Sequence, residues 1–365
     1  MADALAHATT EVTTDHAEVV AEAARPNAKG EEFRARARVG LPASEVRRLS
    51  KLSPLRATLS LLQTFGLIAL SIFAAVRWPH PLVIAASLVA IAGGQHGLAI
   101  LSHQSAHYRM YETRWLNDLV GRLCAFPLGV SMITYRVIHR IHHNELYTSI
   151  DPDLALMAGY PRGRGYLLRK LLKDLVGITT LKNYLYFFGR TKKRGARASE
   201  AQAQTVLDDT SPALAASAAR DRKLVLAWIA MMTTAAIATG NVGWFVLLWV
   251  APLVTLLQAI LRLRAVCEHG ATPDGRVRDL ATALPRPDPM RAARTTVTGP
   301  WVRWLLFPHH MNFHVEHHLY PSVPHYRLPA CHRALQSARA LEHAEVVVGI
   351  RETLRRVFAD AHARA

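Results

Sequence analysis

Eight histidines of this chain fall into three short boxes: His103-Gln-Ser-Ala-His107, His139-Arg-Ile-His142-His143 and His314-Val-Glu-His317-His318. The second and third share the spacing H-x-x-H-H, although 175 positions separate their first members. Residues three and four apart are neighbours on a helix surface, so each box presents its imidazoles on one face. Three such faces converging supply more nitrogen donors than one metal ion needs, which points to a pair of metals. Neutral imidazole suits iron, copper, zinc and nickel alike, so ligand type alone does not name the metal. A structural zinc site wants four ligands, usually with cysteine among them. Cys124, Cys267 and Cys331 are scattered and form no C-x-x-C, which excludes a zinc ribbon, a rubredoxin-like site and a disulfide framework. The absence of H-E-x-x-H argues against a zincin-type protease. The absence of E-x-x-H argues against the soluble di-iron helix bundles.

The elements that must position these boxes are apolar. Half of the 365 residues are hydrophobic, and they concentrate in four stretches at about 55–76, 82–101, 224–239 and 242–262. Their lengths approach or reach the roughly 20 residues that cross a bilayer as a helix. Arg77-Trp78-Pro79-His80-Pro81 breaks the first pair and Gly240-Asn241 the second, so each pair reads as a helical hairpin with a short turn. Trp78 and Trp244 suit the membrane interface. The formal net charge is +17, and its lysines and arginines crowd before the first stretch and across residues 162–197. The positive-inside rule therefore places both termini and the long central insert in the cytosol. The same placement reads the basic surplus as topology and attraction to anionic headgroups, not as nucleic-acid binding.

Residues 1–54 read as a cytosolic tail and lead-in, 55–335 as the membrane domain and 336–365 as a helical cytosolic tail. The first 30 residues are Ala-rich, carry both charge signs and lack the apolar core of a signal peptide, which predicts disorder. Box one follows the second stretch directly. His96 lies two turns before His103 and reads as a buried histidine donating one hydrogen bond rather than as a partner of the boxes. Residues 115–138 and 160–190 suit helices lying in the interface. Residues 191–220 read as a loop ending in a helix, and 271–293, rich in Pro, Asp and Arg, as loop. His269 stands just past the fourth stretch, as His103 stands past the second. His309 and His310 suit a role beside the boxes or plain interfacial placement equally.

The boxes, their order and their placement after each hairpin resemble the membrane fatty acid desaturase and hydroxylase superfamily over roughly residues 55–335. Flanking words strengthen the likeness: His142-His143-Asn144 followed by Asp151-Pro152-Asp153, then Glu268-His269-Gly270, then Asn312-Phe313-His314-Val315-Glu316-His317-His318-Leu319-Tyr320-Pro321. The resemblance implies an all-α integral membrane fold, four transmembrane helices under a cytosolic helical cap that holds a non-haem di-iron centre. It implies that His103, His107, His139, His142, His143, His314, His317 and His318 ligate two iron ions, with His269 as a ninth ligand and O2 as co-substrate. It departs from the stearoyl type of acyl-CoA desaturase at Ala265, where that subgroup has an asparagine holding a metal-bound water.

A centre of this kind removes hydrogen from an unactivated methylene. The expected reaction is the introduction of a double bond into the acyl chain of a lipid. The alternatives are a hydroxylase or ketolase of the same scaffold acting on an alkane, a carotenoid or an acyl chain, and, more remotely, a non-enzymatic metal-binding membrane protein. Neither terminus shows the length or motif of a cytochrome b5 domain, so none is expected to be fused, and electrons are expected from a separate ferredoxin, rubredoxin or cytochrome b5 type donor with its reductase. Ligating imidazoles need hydrogen-bond acceptors at their other nitrogen to set the tautomer. Asp151, Asp153, Glu316, Glu268, Glu145 and Asn312 are the candidates for that supporting layer.

Overall fold

The structure, a computed structural model, describes residues 40–146, 151–153, 157, 163–181, 212–269 and 289–359. A short helix, α1 (Ala43–Leu49), leads into two long apolar helices, α2 (Pro54–Arg77) and α3 (Pro81–Ala106). Both long helices start on a proline, whose missing N–H costs nothing in the first turn and whose fixed φ is already helical. The pair packs closely because glycine stands where it crosses: a Cβ at Gly94 would lie 2.4 Å from Ile68 Cγ1. Small residues at such contacts let helix backbones approach in lipid. The outer face of α2 leaves Leu55, Leu59, Leu62, Leu70 and Phe73 exposed, as a lipid-facing surface would. From Ile91 to Ala106, nearly all of α3 is buried, so this end carries box one into the protein interior.

Helix α4 (Arg114–Ala125) meets α5 (Met132–Asn144) at 98° across a 3-10 turn and Gly129, whose φ of 72° favours glycine. On α4, Trp115, Leu119 and Leu123 are exposed while Asn117, Val120, Gly121 and Cys124 are buried. That is the profile of a helix lying in the interface, as its sequence predicts. Helix α6 (Arg164–Leu175) repeats it, with Leu168, Leu172 and Leu175 exposed and Leu167 buried. Buried Asp174 accepts a forked pair of hydrogen bonds from Arg262 and ties α6 down.

Helix α7 is Pro212–Ala238, and α8 runs from Val242 to His269. Three helices, α2, α3 and α8, are long and apolar enough to cross a membrane, and the bent α4–α5 pair passes the same test taken together. The apolar part of α7, from Leu224, follows Arg220-Asp221-Arg222-Lys223 and is short for a crossing by itself. Within α8, Val246–Val250 forms a π turn and Thr255 leaves helical geometry at φ −122° and ψ −83°. Pro252 explains the break, because it offers no N–H and its ring displaces the carbonyl one turn back.

The chain is mostly helical, but the all-α expectation needs an amendment. Two strands, β1 (Arg294–Val297) and β2 (Glu345–Val348), pair in parallel, with Arg294 opposite Glu345 and Val297 opposite Val348. Both are runs rich in β-branched residues, which favour extended backbone. Residues 336–365, expected as a helical tail, thus supply a strand to the layer that holds box three. Between the strands lie α9 (Pro300–Leu306), α10 (His314–Leu319) and α11 (Leu328–Ser337); α12 (Ile350–Val357) follows β2. Leu49, Ile100, Met311, Val315, Leu328 and Leu335 form one core that locks α1, α3, α10 and α11 together. The tail predicted before residue 31 and most of the loops predicted at 191–220 and 271–293 lie outside the described residues.

Candidate metal centre

Each box occupies the helix that its spacing requires. His103 is in the last turn of α3, and His107 caps that helix. His139, His142 and His143 sit in the last two turns of α5. His269 ends α8, and His314, His317 and His318 fill the six-residue α10. These helix ends converge. The ligand atoms of His103, His107, His139, His143 and His317 lie within 4.8 Å of one another, as do those of His142, His269 and His318. His314 joins the second set, its Nε2 lying 2.7 Å from His269 Nε2 and 3.1 Å from His318 Nε2. All nine predicted histidines are therefore gathered, five around one point and four around another.

The nitrogen separations test whether metals fit. Nitrogens bound to one ion at about 2.1 Å, with angles between 90° and tetrahedral, lie about 3.0–3.4 Å apart. His139 and His107 face each other Nε2 to Nε2 at 2.9 Å, and His317 and His143 at 3.0 Å. Such contacts are edges of a coordination polyhedron. The charge state agrees. Burial, reinforced by neighbouring imidazoles, holds His314, His317 and His318 well below the ordinary histidine range. Burial, with the Arg109 guanidinium next in effect, pushes His107 down to about 3. These rings are neutral at pH 7, the form that binds metal.

The supporting layer is sparser than predicted. His142 Nδ1 donates to buried Asp151 Oδ1 at 3.0 Å, which frees its Nε2 for a metal. Asp153 Oδ2 lies 3.8 Å from the same nitrogen, and its backbone N–H donates to Asp151 Oδ1. Glu268 Oε2 is 3.6 Å from His314 Nδ1, too long for a hydrogen bond, and the carboxylate is held by Arg264 at 2.9 Å. The Nδ1 atoms of His103, His314 and His317 are buried without a hydrogen-bond partner, and the His269 ring has the backbone of Ala292 beside it.

Glu316 and Asn312 face away from the imidazoles. Glu316 accepts from Thr295 Oγ1 at 2.6 Å and from His332 Nδ1 at 2.5 Å, which pins α10 to β1 and to α11. Asn312 Nδ2 donates to Thr296 O at 3.1 Å, and its own carbonyl accepts from Thr296 N. Both residues position the box through its backbone rather than through its rings. Glu145 caps the end of α5.

Three positioning residues escape a reading of the boxes. His332 stands alone in sequence. Asp221, 1% exposed, accepts from Ser131 Oγ and from Ile133 N at the start of α5, and pairs with Arg122 at 2.7 Å. Arg294, 3% exposed, donates to the carbonyls of Val266 and Cys267 in the last turn of α8, just before His269. The last two stand in sequence among other charged and polar residues, Arg220-Asp221-Arg222-Lys223 and Arg294-Thr295-Thr296, and nothing local marks them. His96 donates from Nδ1 to Leu305 O at 2.9 Å, the bland role predicted for it. His309 Nε2 bonds Thr64 Oγ1 at 3.0 Å between α2 and α3, and neither His309 nor His310 belongs to the two metal-competent sets.

Comparison with known proteins agrees with this geometry. The family model described as fatty acid desaturase matches residues 77–348. Dihydrorhizobitoxine desaturase of Bradyrhizobium elkanii is 24% identical over 262 residues, covering 69% of this chain and 66% of that protein. A Delta(12) acyl-lipid conjugase (11E,13E-forming) of Momordica charantia is 27% identical, covering 68% and 64%. The sn-1 oleoyl-lipid 12-desaturase of Synechocystis sp. is 23% identical, covering 66% and 64%. The chain thus spans slightly less than two thirds of the length of these curated relatives.

Proposed function

The chain belongs to the fatty acid desaturase family, and from that premise we propose that it is an O2-dependent di-iron oxidoreductase that introduces a double bond into the acyl chain of a lipid. The observation that carries this reading is the convergence of nine imidazoles as a set of five and a set of four. Carboxylates are absent from both sets, so the donor chemistry is that of nitrogen-rich sites. Bound there, two ferrous ions would supply the O2 chemistry able to remove hydrogen from an unactivated methylene. The overall balance is one saturated C–C unit, O2, two electrons and two protons giving an alkene and two waters.

The protein's part is placement. Asp151 fixes the His142 tautomer; Asp221, Arg294 and the Glu316–His332 pair hold three of the four helices that carry the histidines. Burial keeps bulk water from the site. Four crossings, two long hairpins counting α7 with α8, would leave the centre and both termini on the cytosolic side, where the basic surplus lies. Electrons would come from a separate ferredoxin, rubredoxin or cytochrome b5 type protein. All three relatives described above are named as a desaturase or a conjugase, which favours an alkene over an alcohol as product.

The test is to express the full chain with a ferredoxin-type donor and its reductase, and to profile host lipids together with bound metal. A new unsaturated acyl chain and about two irons per chain are expected, two following from the paired sites. A new alcohol or ketone without an alkene would assign the hydroxylase or ketolase reaction instead. Zinc alone, retained in cells that also make the donor, would reject the redox reading.

A further inference from the structure

Helix α9 sits at a depth that can be measured along α3. Gly93 is twelve residues from Pro81, where α3 leaves its hairpin turn, and so is roughly 18 Å along the helix. The hydrocarbon core is about 30 Å thick, which leaves Gly93 roughly 12 Å short of the far boundary. Trp304 of α9 packs onto Gly93 so closely that a Cβ there would be 3.0 Å from Trp304 Cζ2. One residue on, Leu305 O accepts from His96 Nδ1 of the same span at 2.9 Å. Helix α9 therefore dips into the leaflet on the metal-centre side, with protein partners for its backbone, as irregular segments at membrane depth require.

Two large apolar side chains beside this dip are bare. Trp301 is 83% exposed and Val348 is 77% exposed. Between α9 and α12 lies an open groove of about 690 Å³, lined on its apolar side by Val297, Val302, Val348 and Ile350. Arg351 and Arg355 stand on its rim. Arg355 and Arg356 share the carboxylate of Glu352, whereas Arg351 is exposed and makes no ion pair among the described residues. Glu352 lines the groove as well, so two arginines against one carboxylate leave a positive excess beside the apolar lining.

We propose that this groove seats an anionic phospholipid of the leaflet on the metal-centre side. One acyl chain lies along the valines and Ile350, the phosphate meets Arg351 and Arg355, and Trp301 marks the headgroup level. Two observations select this occupant over a protein or a free ion. Helix α9, which lines the groove through Val302, also packs onto the membrane span α3, and an apolar lining beside two arginines matches a lipid's own tail and head. Arginines near an anionic leaflet attract it, and a tryptophan with a bare face belongs at the interface. The proposal rests on the membrane reading and not on the metal centre, so it is tested without turnover.

The experiment places the full-length protein in nanodiscs of phosphatidylcholine containing a fixed fraction of brominated lipid, either phosphatidylcholine or phosphatidylglycerol. The signal is the fluorescence quenching lost when Trp301 is replaced, Trp301→Phe, among the seven tryptophans. Brominated phosphatidylglycerol should quench Trp301 more than brominated phosphatidylcholine at equal fraction. Arg351→Gln should lower that preference roughly fivefold, and Arg351→Gln with Arg355→Gln further, towards none. Both positions are exposed, and Arg351→Gln disturbs no ion pair among the described residues, so the variant tests the headgroup contact and not the fold. Equal quenching by the two lipids in the native protein would overturn the proposal. So would Trp301 emission that neither lipid quenches, as expected if the groove faces water or another protein.

Discussion

The carboxylate of Asp221 on α7 accepts the backbone N–H of Ile133 at 3.0 Å and the hydroxyl of Ser131 at 3.1 Å, at the first turn of the helix that carries box two. A negative charge at a helix N-terminus satisfies orphan amides and complements the dipole. With Arg122 as its ion-pair partner, Asp221 joins α4, α5 and α7 at a single buried point.

Removing that carboxylate strands the amide, while Arg122, one third exposed, can turn to water. Asp221→Ala should destabilise the protein by about 1–3 kcal/mol, the range for a buried donor left unsatisfied. Asp221→Asn, which keeps an acceptor, should cost less. Thermal unfolding in detergent, read with bound iron, checks both. An Asp221→Ala protein with native stability and native iron would contradict this role.

Asp151 acts on a ring, and Glu316 acts on backbone placement. Asp151→Ala should therefore weaken metal retention about 10–100-fold with little change in unfolding temperature, as loss of an acceptor behind a ligating imidazole does. Glu316→Ala should lower stability and iron together, because it leaves His332 and Thr295 buried without their partner. Chelator competition followed beside thermal unfolding separates the two patterns.

His317→Ala should abolish product and lower iron, since His317 belongs to the set of five and is fully buried. His96→Ala, outside both sets, should lose stability but retain metal. If activity survives His317→Ala, the assignment of box three to the metal fails.

The metal-free protein should be acid-sensitive. Burial lowers the folded-state pKa of His314, His317 and His318, and of His309 to about 4. The unfolded value is about 6.5. Depressed pKa values mean that the unfolded chain takes up protons first. The stability these rings contribute is present above about pH 6.5 and is lost as pH falls towards their folded values. The loss approaches about 1.4 kcal/mol per pH unit for each ring. Unfolding midpoints of the apo protein between pH 7.5 and 5 should fall steeply, and iron should oppose the fall by excluding protons.

The α2–α3 contact should tolerate little growth. A Cβ at Gly94 meets Ile68 in the middle of a helix pair, so Gly94→Val should cost about 1–3 kcal/mol as overpacking. Ile68→Ala in the same chain should recover part of it, which a double-variant unfolding measurement can show.

Much of the site was legible because histidine spacing and helical period coincide. The eight boxed rings arrive where H-x-x-H-H and H-x-x-x-H put them, and His269 joins them from the end of α8. The one-sided exposure of α4 was legible too, since Trp115, Leu119 and Leu123 repeat every fourth residue. What failed to show is what holds the box helices from behind. Thr295 meets Glu316 across 21 positions, and Arg294 meets Cys267 across 27, and no local pattern encodes such distances. Four-residue strands leave almost no period to detect. Glu316 was readable as a carboxylate beside two imidazoles, but on a helix its neighbours in sequence point elsewhere, and it turned to His332.

The parallel pairing of β1 with β2 has a consequence for how the centre is made. His318, the final member of the nine, precedes Val348 by 30 positions, yet the layer beneath box three closes only when Glu345–Val348 docks against Arg294–Val297. On a ribosome every imidazole is thus polymerised before the lattice that aims them exists. A metal ion delivered early would meet a loose polydentate chain, and one delivered late would meet a shaped cradle. Maturation would then be a matter of timing between metal supply and chain release.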